Sequence, residues 1–314
     1  GFRQFQRITF SDSNYHFKSG LYIHGANHGQ FNTIWGKYDG GAPYKWLLNT
    51  APQITIEDQT QIAKVYFSAF AEAVLNGNTD YQDLFINANA AADWLPETIM
   101  INTFEDSNTK KLITFEEDID VTSGTWPGSD LLGKDLKIWR EEILKFRDND
   151  TQLNNAVVLG WESDSTHLTP SYEINFSKSV QIDTAYSILV NLTAGNPSQL
   201  KQNEKGKAEK SAEQQDPEVR FQLELFDSLG YGAIIASDKL KKLTPRLKVQ
   251  FVKLKGLHQE NFGDPWEPTL ETFEFPFNQF SKDTNLINLK KIIFRFNQSP
   301  KGVLVLDDIA VRRK

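Results

Sequence analysis

Apolar positions along the chain follow two different periods. Between Glu57 and Leu75 the run EDQTQIAKVYFSAFAEAVL places Ile62, Val65, Tyr66, Ala69, Phe70 and Val74 on one face at helical spacing. This predicts an amphipathic helix. Thr55, three residues before Asp58, stands where an N-cap is needed, and Gly77 where a left-handed C-terminal residue would end it. Upstream, KSGLYIHGAN reads as a short buried strand running into a loop, its apolar run bounded by Gly20 and Gly25.

After Asn108 the period changes to two. Alternating segments recur between turn residues: AYSILVNLT (185–193), VRFQLELFD (219–227), RLKVQFVKL (246–254), TLETFEFPF (269–277), KKIIFRFNQ (290–298) and VLVLDDIAV (303–311). In the second, Val219, Phe221, Leu223 and Leu225 share one face while Arg220, Gln222 and Glu224 share the other. Half-buried strands in series without intervening helices predict an antiparallel β-sandwich or jelly roll. The polar run 199–217 lacks aromatic and β-branched residues and reads as a solvated loop. The expected class is α+β: a small α/β segment over 1–108, then the sandwich over 109–314.

At 314 residues about two domains are expected. No stretch approaches the ~18 consecutive apolar residues of a membrane-spanning helix. A net charge of −7 carries no basic face for a phosphate backbone, so nucleic acid is not an expected partner. With no cysteine, disulfides, thiolate catalysis and Cys-ligated zinc are excluded. The chain opens GFRQ and its single methionine is Met100, which raises the expectation that an amino-terminal part of the protein precedes it.

His16, His24 and His28 fall within thirteen residues, and neutral imidazoles are common metal ligands. Gly25 and Gly29 argue against the helix that would put His24 and His28 on one face, and no carboxylate completes a zinc motif. A strand ending in GANH, followed by GQFN and Trp35, instead resembles the catalytic histidine segment of serine α/β-hydrolases of the lipase and esterase type. That resemblance implies His28 as general base, an ester substrate, and a tail helix over the sheet. Such triads run Ser, then Asp or Glu, then His. No Gly-x-Ser-x-Gly elbow occurs, and 27 residues are too few to carry the missing partners, so the chain would be an inactive carboxy-terminal portion.

In the β-rich part, IIFRFNQ, a KG turn and VLVLDDIAV, with TFEEDID (114–120) as a first strand, resemble the galactose-binding-like jelly rolls found as carbohydrate-binding modules. The resemblance implies a polysaccharide partner, an extracellular or periplasmic setting, and a structural calcium between first and last strands. Glu116, Glu117, Asp118, Asp307 and Asp308 supply oxygen ligands of the type calcium takes. Of the four tryptophans in this part, Trp126, Trp139, Trp161 and Trp266, the two beside prolines in loops, Trp126 and Trp266, are the candidate stacking platforms for a sugar. The pairs Glu116–Glu117 and Glu141–Glu142 read as surface charge, since glycosidase chemistry needs carboxyls placed across a sugar. The alternative function is a non-enzymatic carbohydrate-binding or adhesion protein.

Overall fold

The computed structural model describes residues 1–38, 43–163, 169–183, 185–201, 216–263, 265–280 and 288–313. Most of the polar run 199–217 lies outside them. The described helices are α1 (Phe2–Arg7), α2 (Tyr44–Leu47), α3 (Ile56–Leu75), α4 (Asp83–Ile86) and α5 (Lys255–Phe262). The strands are β1 (Phe17–Ile23), β2 (Met100–Asp106), β3 (Thr109–Ile113), β4 (Ser123–Gly124), β5 (Ser129–Lys134), β6 (Ile138–Lys145) and β7 (Thr151–Glu162). They continue with β8 (Ser171–Gln181), β9 (Tyr186–Ala194), β10 (Gln222–Asp227), β11 (Gly232–Ala236), β12 (Glu271–Pro276), β13 (Asn288–Arg295) and β14 (Lys301–Arg313).

Two compact units form, and they interleave along the chain where the sequence divides it once, at 108/109. One comprises Gly1–Lys18, Glu105–Arg246 and Pro268–Lys314; the other Ser19–Phe104 and Leu247–Glu267. The segment RLKVQFVKL is the reason for the second crossing. It is not a strand: Leu48 and Val252 make an isolated antiparallel bridge, flanked by bonds from Asn49 N–H to Phe251 O and Lys253 N–H to Leu47 O.

In the helical unit α3 forms as expected, with the Thr55 hydroxyl accepting from Asp58 N–H at 3.0 Å and Gly77 at φ +68° beyond its end. The buried stripe is rotated from the expected one. It runs Gln59, Ile62, Tyr66, Ala69 and Ala73, leaving Phe70 and Val74 half exposed. Tyr66 meets Phe85 edge-on at 5.7 Å and shares a hydrogen bond with Asn102, whose amide also donates to the Leu84 carbonyl. Strand β1, half-buried where a buried strand was expected, pairs with β2 alone among the described residues. Bonds from His24 N–H to Ile99 O and from Ser107 N–H to His16 O set that pair antiparallel. It is not the parallel α/β sheet that a hydrolase histidine strand would close.

The other unit is an antiparallel β-sandwich of two sheets, ordered β12-β9-β14-β7-β6, with β3 also on β14, and β11-β10-β13-β8-β5-β4. Period-two alternation builds the core. Val219, Phe221, Leu223 and Leu225 all bury on the expected face, and Tyr172, Ile174 and Phe176 do so from β8. Trp161 stacks on Phe296 at 4.2 Å and donates its indole N–H to Ser299 O. The expected first strand, TFEEDID, is a loop. Phe115 takes φ +57°, and the Asp118 and Asp120 carboxylates accept the N–H groups of Asp120 and Thr122, replacing ladder bonds with local turns.

Phe294, fully buried between Tyr172 and Phe221, anchors this core. Phe294→Ala is expected to cost the sandwich about 3–5 kcal/mol, and Phe67→Ser on the exposed side of α3 less than about 0.5 kcal/mol. Chemical denaturation of both variants measures the contrast.

Candidate functional site

The histidine segment is held as a scaffolded loop. The Gln59 side chain, fully buried in α3, accepts from Asn27 N–H at 3.0 Å and donates to Asn27 O at 2.6 Å. Asn27 Oδ1 accepts from Gln30 N–H, and the Gln30 amide donates to Ile54 O. Gly25 sits at φ +77°, where a Cβ would lie 2.5 Å from Pro52 O. His28 projects outward with its ring edge-on to Trp35 at 5.0 Å, and His24 bonds through its backbone to Ile99 and Thr98. His16 pairs with Asp12 at 2.8 Å in the sandwich unit, apart from the other two in chain grouping. Among the described residues, no group of three or more His, Asp or Glu side chains stands placed to hold a metal ion.

The calcium candidates turn to protein partners. Glu116 accepts from the Asn155 backbone and side-chain N–H groups at 2.6 and 2.7 Å, and Asp118 from the Ser123 hydroxyl. Asp307 is fully buried, accepts from the Asn154 amide at 2.8 Å through Oδ2, and keeps Oδ1 without a partner among the described residues. Burial, then the neighbouring Asp308 charge, pushes the Asp307 carboxyl well above the usual range. Trp126 and Trp266 are both half-buried and belong to different units. The Lys110 ammonium covers one face of the Trp126 ring at 4.4 Å, and the Trp126 indole N–H donates to Lys178 O.

A different cluster does assemble, at the edge of the sandwich where β4, β5, β6 and β8 meet the 114–122 loop. On β6, alternation puts Trp139, Glu141 and Ile143 on one face. The series starts in the core at Trp139 and ends in solvent at Ile143, with Glu141 at the boundary. Trp139 lies over Gly133, where a Cβ would meet the indole at 2.8 Å, and Gly133 is the cross-strand partner of Tyr172. Tyr172 Oη, Trp139 Nε1 and Ser129 Oγ are all buried without a hydrogen-bond partner among the described residues. Buried polar atoms are seldom left unpaired, which sets these three apart.

Carboxylates surround this edge. Burial, followed by the charges of Glu117, Asp118 and Asp120, pushes Glu141 from its usual 4.5 up to about 7. Tyr172 is pushed upward by its burial and by Glu141 and Glu117. Glu117 accepts from Thr125 at 2.6 Å, and Asp120, held below its usual range by the Thr122 hydroxyl and N–H, is ionised at neutral pH.

No protein-family model and no curated protein matches the chain. Similar solved structures include an exo-β-agarase, at TM-score 0.41 and 9% identity over 65% of this chain and 25% of that one. They also include the family 11 carbohydrate-binding module of a cellulosomal cellulase of Clostridium thermocellum, at 0.37 and 13% over 66% and 95%. A family 30 carbohydrate-binding module gives 0.37 and 5% over 59% and 91%. The chain spans a quarter of the agarase's length. At these scores the sandwich rests on its own strand order and core, and the edge on its own geometry.

The sequence pairs Glu141 with Glu142 as neighbouring surface charges, whereas the strand sends them to opposite faces. Glu142 takes Arg140 at 3.0 Å; Glu141 joins Trp139. The signal that would have found the edge is the alternation Trp139, Glu141, Ile143 in IWREEILK, a carboxyl on an otherwise apolar face.

Two outcomes follow from the carboxyl shifts. Because Glu141 is raised in the fold, it holds extra protons between its usual 4.5 and about 7, so stability falls as pH rises through that window. Glu141→Gln is expected to leave the melting temperature unchanged below pH 4.5 and to raise it above pH 7, read from melts at several pH values. Asp307→Asn is expected to melt at or above wild type at pH 7, because a neutral amide replaces a carboxyl whose charged form burial disfavours. A wild-type melting temperature that moves with neither calcium nor chelator ends the calcium expectation.

Proposed function

We propose that the sandwich is a carbohydrate-binding module whose ligand seats at the β4–β5–β6–β8 edge. The observation that carries this reading is the pairing of orphaned donors with a carboxyl set among like charges. Tyr172 O–H and Trp139 N–H have no acceptor among the described residues, and Glu141 stands under the like charges of Glu117, Asp118 and Asp120. A sugar hydroxyl both donates and accepts, so vicinal hydroxyls answer both needs at once. Hydrogen bonds to carboxylates are the stronger class, which favours such a ligand over water alone. The Trp139 ring offers an apolar surface beside them. The histidine loop supplies no comparable set for ester hydrolysis, since its amides are engaged in holding its own backbone.

Affinity electrophoresis of the full chain through gels containing soluble β-glucans or galactans tests the reading. Retardation by at least one polysaccharide is expected. Tyr172→Phe removes a hydroxyl that the fold leaves unpaired, so it should weaken binding by about fivefold to tenfold while leaving the melting temperature equal or higher. Mobility unaffected by every polysaccharide, or retardation indifferent to Tyr172→Phe and Glu141→Gln, would overturn it.

A further inference from the structure

The helical unit carries an open groove of about 490 Å³, lined on one wall by α3 and on the other by the residues from Asp80 to Trp94. Its size falls in the small-ligand range. From Gln61 to Ser68 the α3 wall extends about 10 Å at the helical rise, too short a seat for a docked helix and long enough for two sugar rings in file. The floor is apolar and low, made by Val65, Ala69, Leu84, Ala90 and Ala91.

The walls are not apolar. Gln61, Lys64 and Ser68 stand at i, i+3 and i+7 along one side of α3, and Asp80, Tyr81 and Trp94 face them. The Gln61 amide donates to Trp94 O at 3.1 Å, which fixes the far wall to the helix. Trp94 is 59% exposed, a large apolar surface left open to solvent beside the groove. Lys64, Ser68 and Asp80 have no side-chain partner among the described residues.

We infer that this groove is a second, independent saccharide site, seating a disaccharide-sized segment against Trp94 and Tyr81. The donor–acceptor pattern selects the class. Lys64 only donates and Asp80 only accepts, while Gln61 and Ser68 do both. A simple anion would face Asp80 and a simple cation would face Lys64, each against a like charge. Sugar hydroxyls serve every wall residue in either role, and the C–H face of the ring covers the aromatic surface.

The test uses the full chain in ¹H–¹⁵N correlation spectra, with cellobiose, laminaribiose and lactose as probes. The Trp94 indole cross-peak is identified by its loss in Trp94→Phe. Saturable movement of that peak is expected with at least one disaccharide at millimolar concentration. Lys64→Met or Asp80→Asn should weaken it at least fivefold, and Glu141→Gln should leave it unchanged. Because all three wall positions are exposed, unchanged melting temperatures are expected for their variants. A Trp94 peak that stays in place with every disaccharide overturns the inference, as does movement indifferent to both wall variants. Either result leaves the sandwich-edge reading standing, since that is judged by Tyr172 and Glu141 alone.

Discussion

Strand β14 changes neighbour half-way along its length, and the sandwich depends on how that change is made. Residues Lys301–Leu306 pair with β7, while Ile309–Arg312 pair with β3 on the same side, with β9 alongside from Leu304 to Arg313. The switch falls on Asp307 and Asp308, where the ladder to β9 shifts register and Asp308 takes φ +36°. A bulge of this kind re-aims side chains. Here it turns two carboxyls into the buried interior, and each must be answered. Asp308 meets Lys111 of β3 at 2.9 Å and the Asn191 amide of β9, and Asn191 in turn accepts from Thr272 of β12. One polar network thus ties four strands. Such a network stabilises only when its members are satisfied, which makes the single open oxygen on Asp307 its exceptional point.

At the β6 edge of the same sheet alternation has another consequence. Strand β6 carries its inward face out of the core, so Trp139 packs, Glu141 straddles the boundary and Ile143 reaches solvent. A carboxyl placed there, among Glu117, Asp118 and Asp120, works against folding whenever it ionises. Unpaired donors buried next to it add to the cost. Edges of this composition are poor choices for stability alone, and that is the physical case for a ligand there: groups left unsatisfied by the fold are available to something else.

The histidine loop teaches the reverse lesson. A sequence of Gly, Asn, Gln and His near a strand end has the residue types of a catalytic loop, and GANHGQFN does resemble one. Its amides are instead absorbed by Gln59, a buried polar residue in the first turn of α3, which bonds to both the N–H and the carbonyl of Asn27. Buried backbone groups in a loop must find partners, and these residues are the ones that supply them. The same demand explains the rotated helix, since the stripe that buries has to include Gln59.

By itself the chain determined what local periodicity and local steric preference can encode. The 3.6-residue stripe, the Thr55 cap and the Gly77 stop marked α3, and period-two alternation marked β9, β10, β12, β13 and β14 and the buried face of β10, because each depends on residues within one element. Tertiary structure decided the rest. It sent RLKVQFVKL to Leu47–Asn49 in the helical unit, dissolved TFEEDID into aspartate-capped turns, and brought Trp139, Glu141, Ser129 and Tyr172 to one edge from three strands. Those outcomes turn on which strand lies beside which and on where a buried carboxyl or amide finds its partner. Neither is a property of a window of sequence; both are set by contacts between residues distant along the chain.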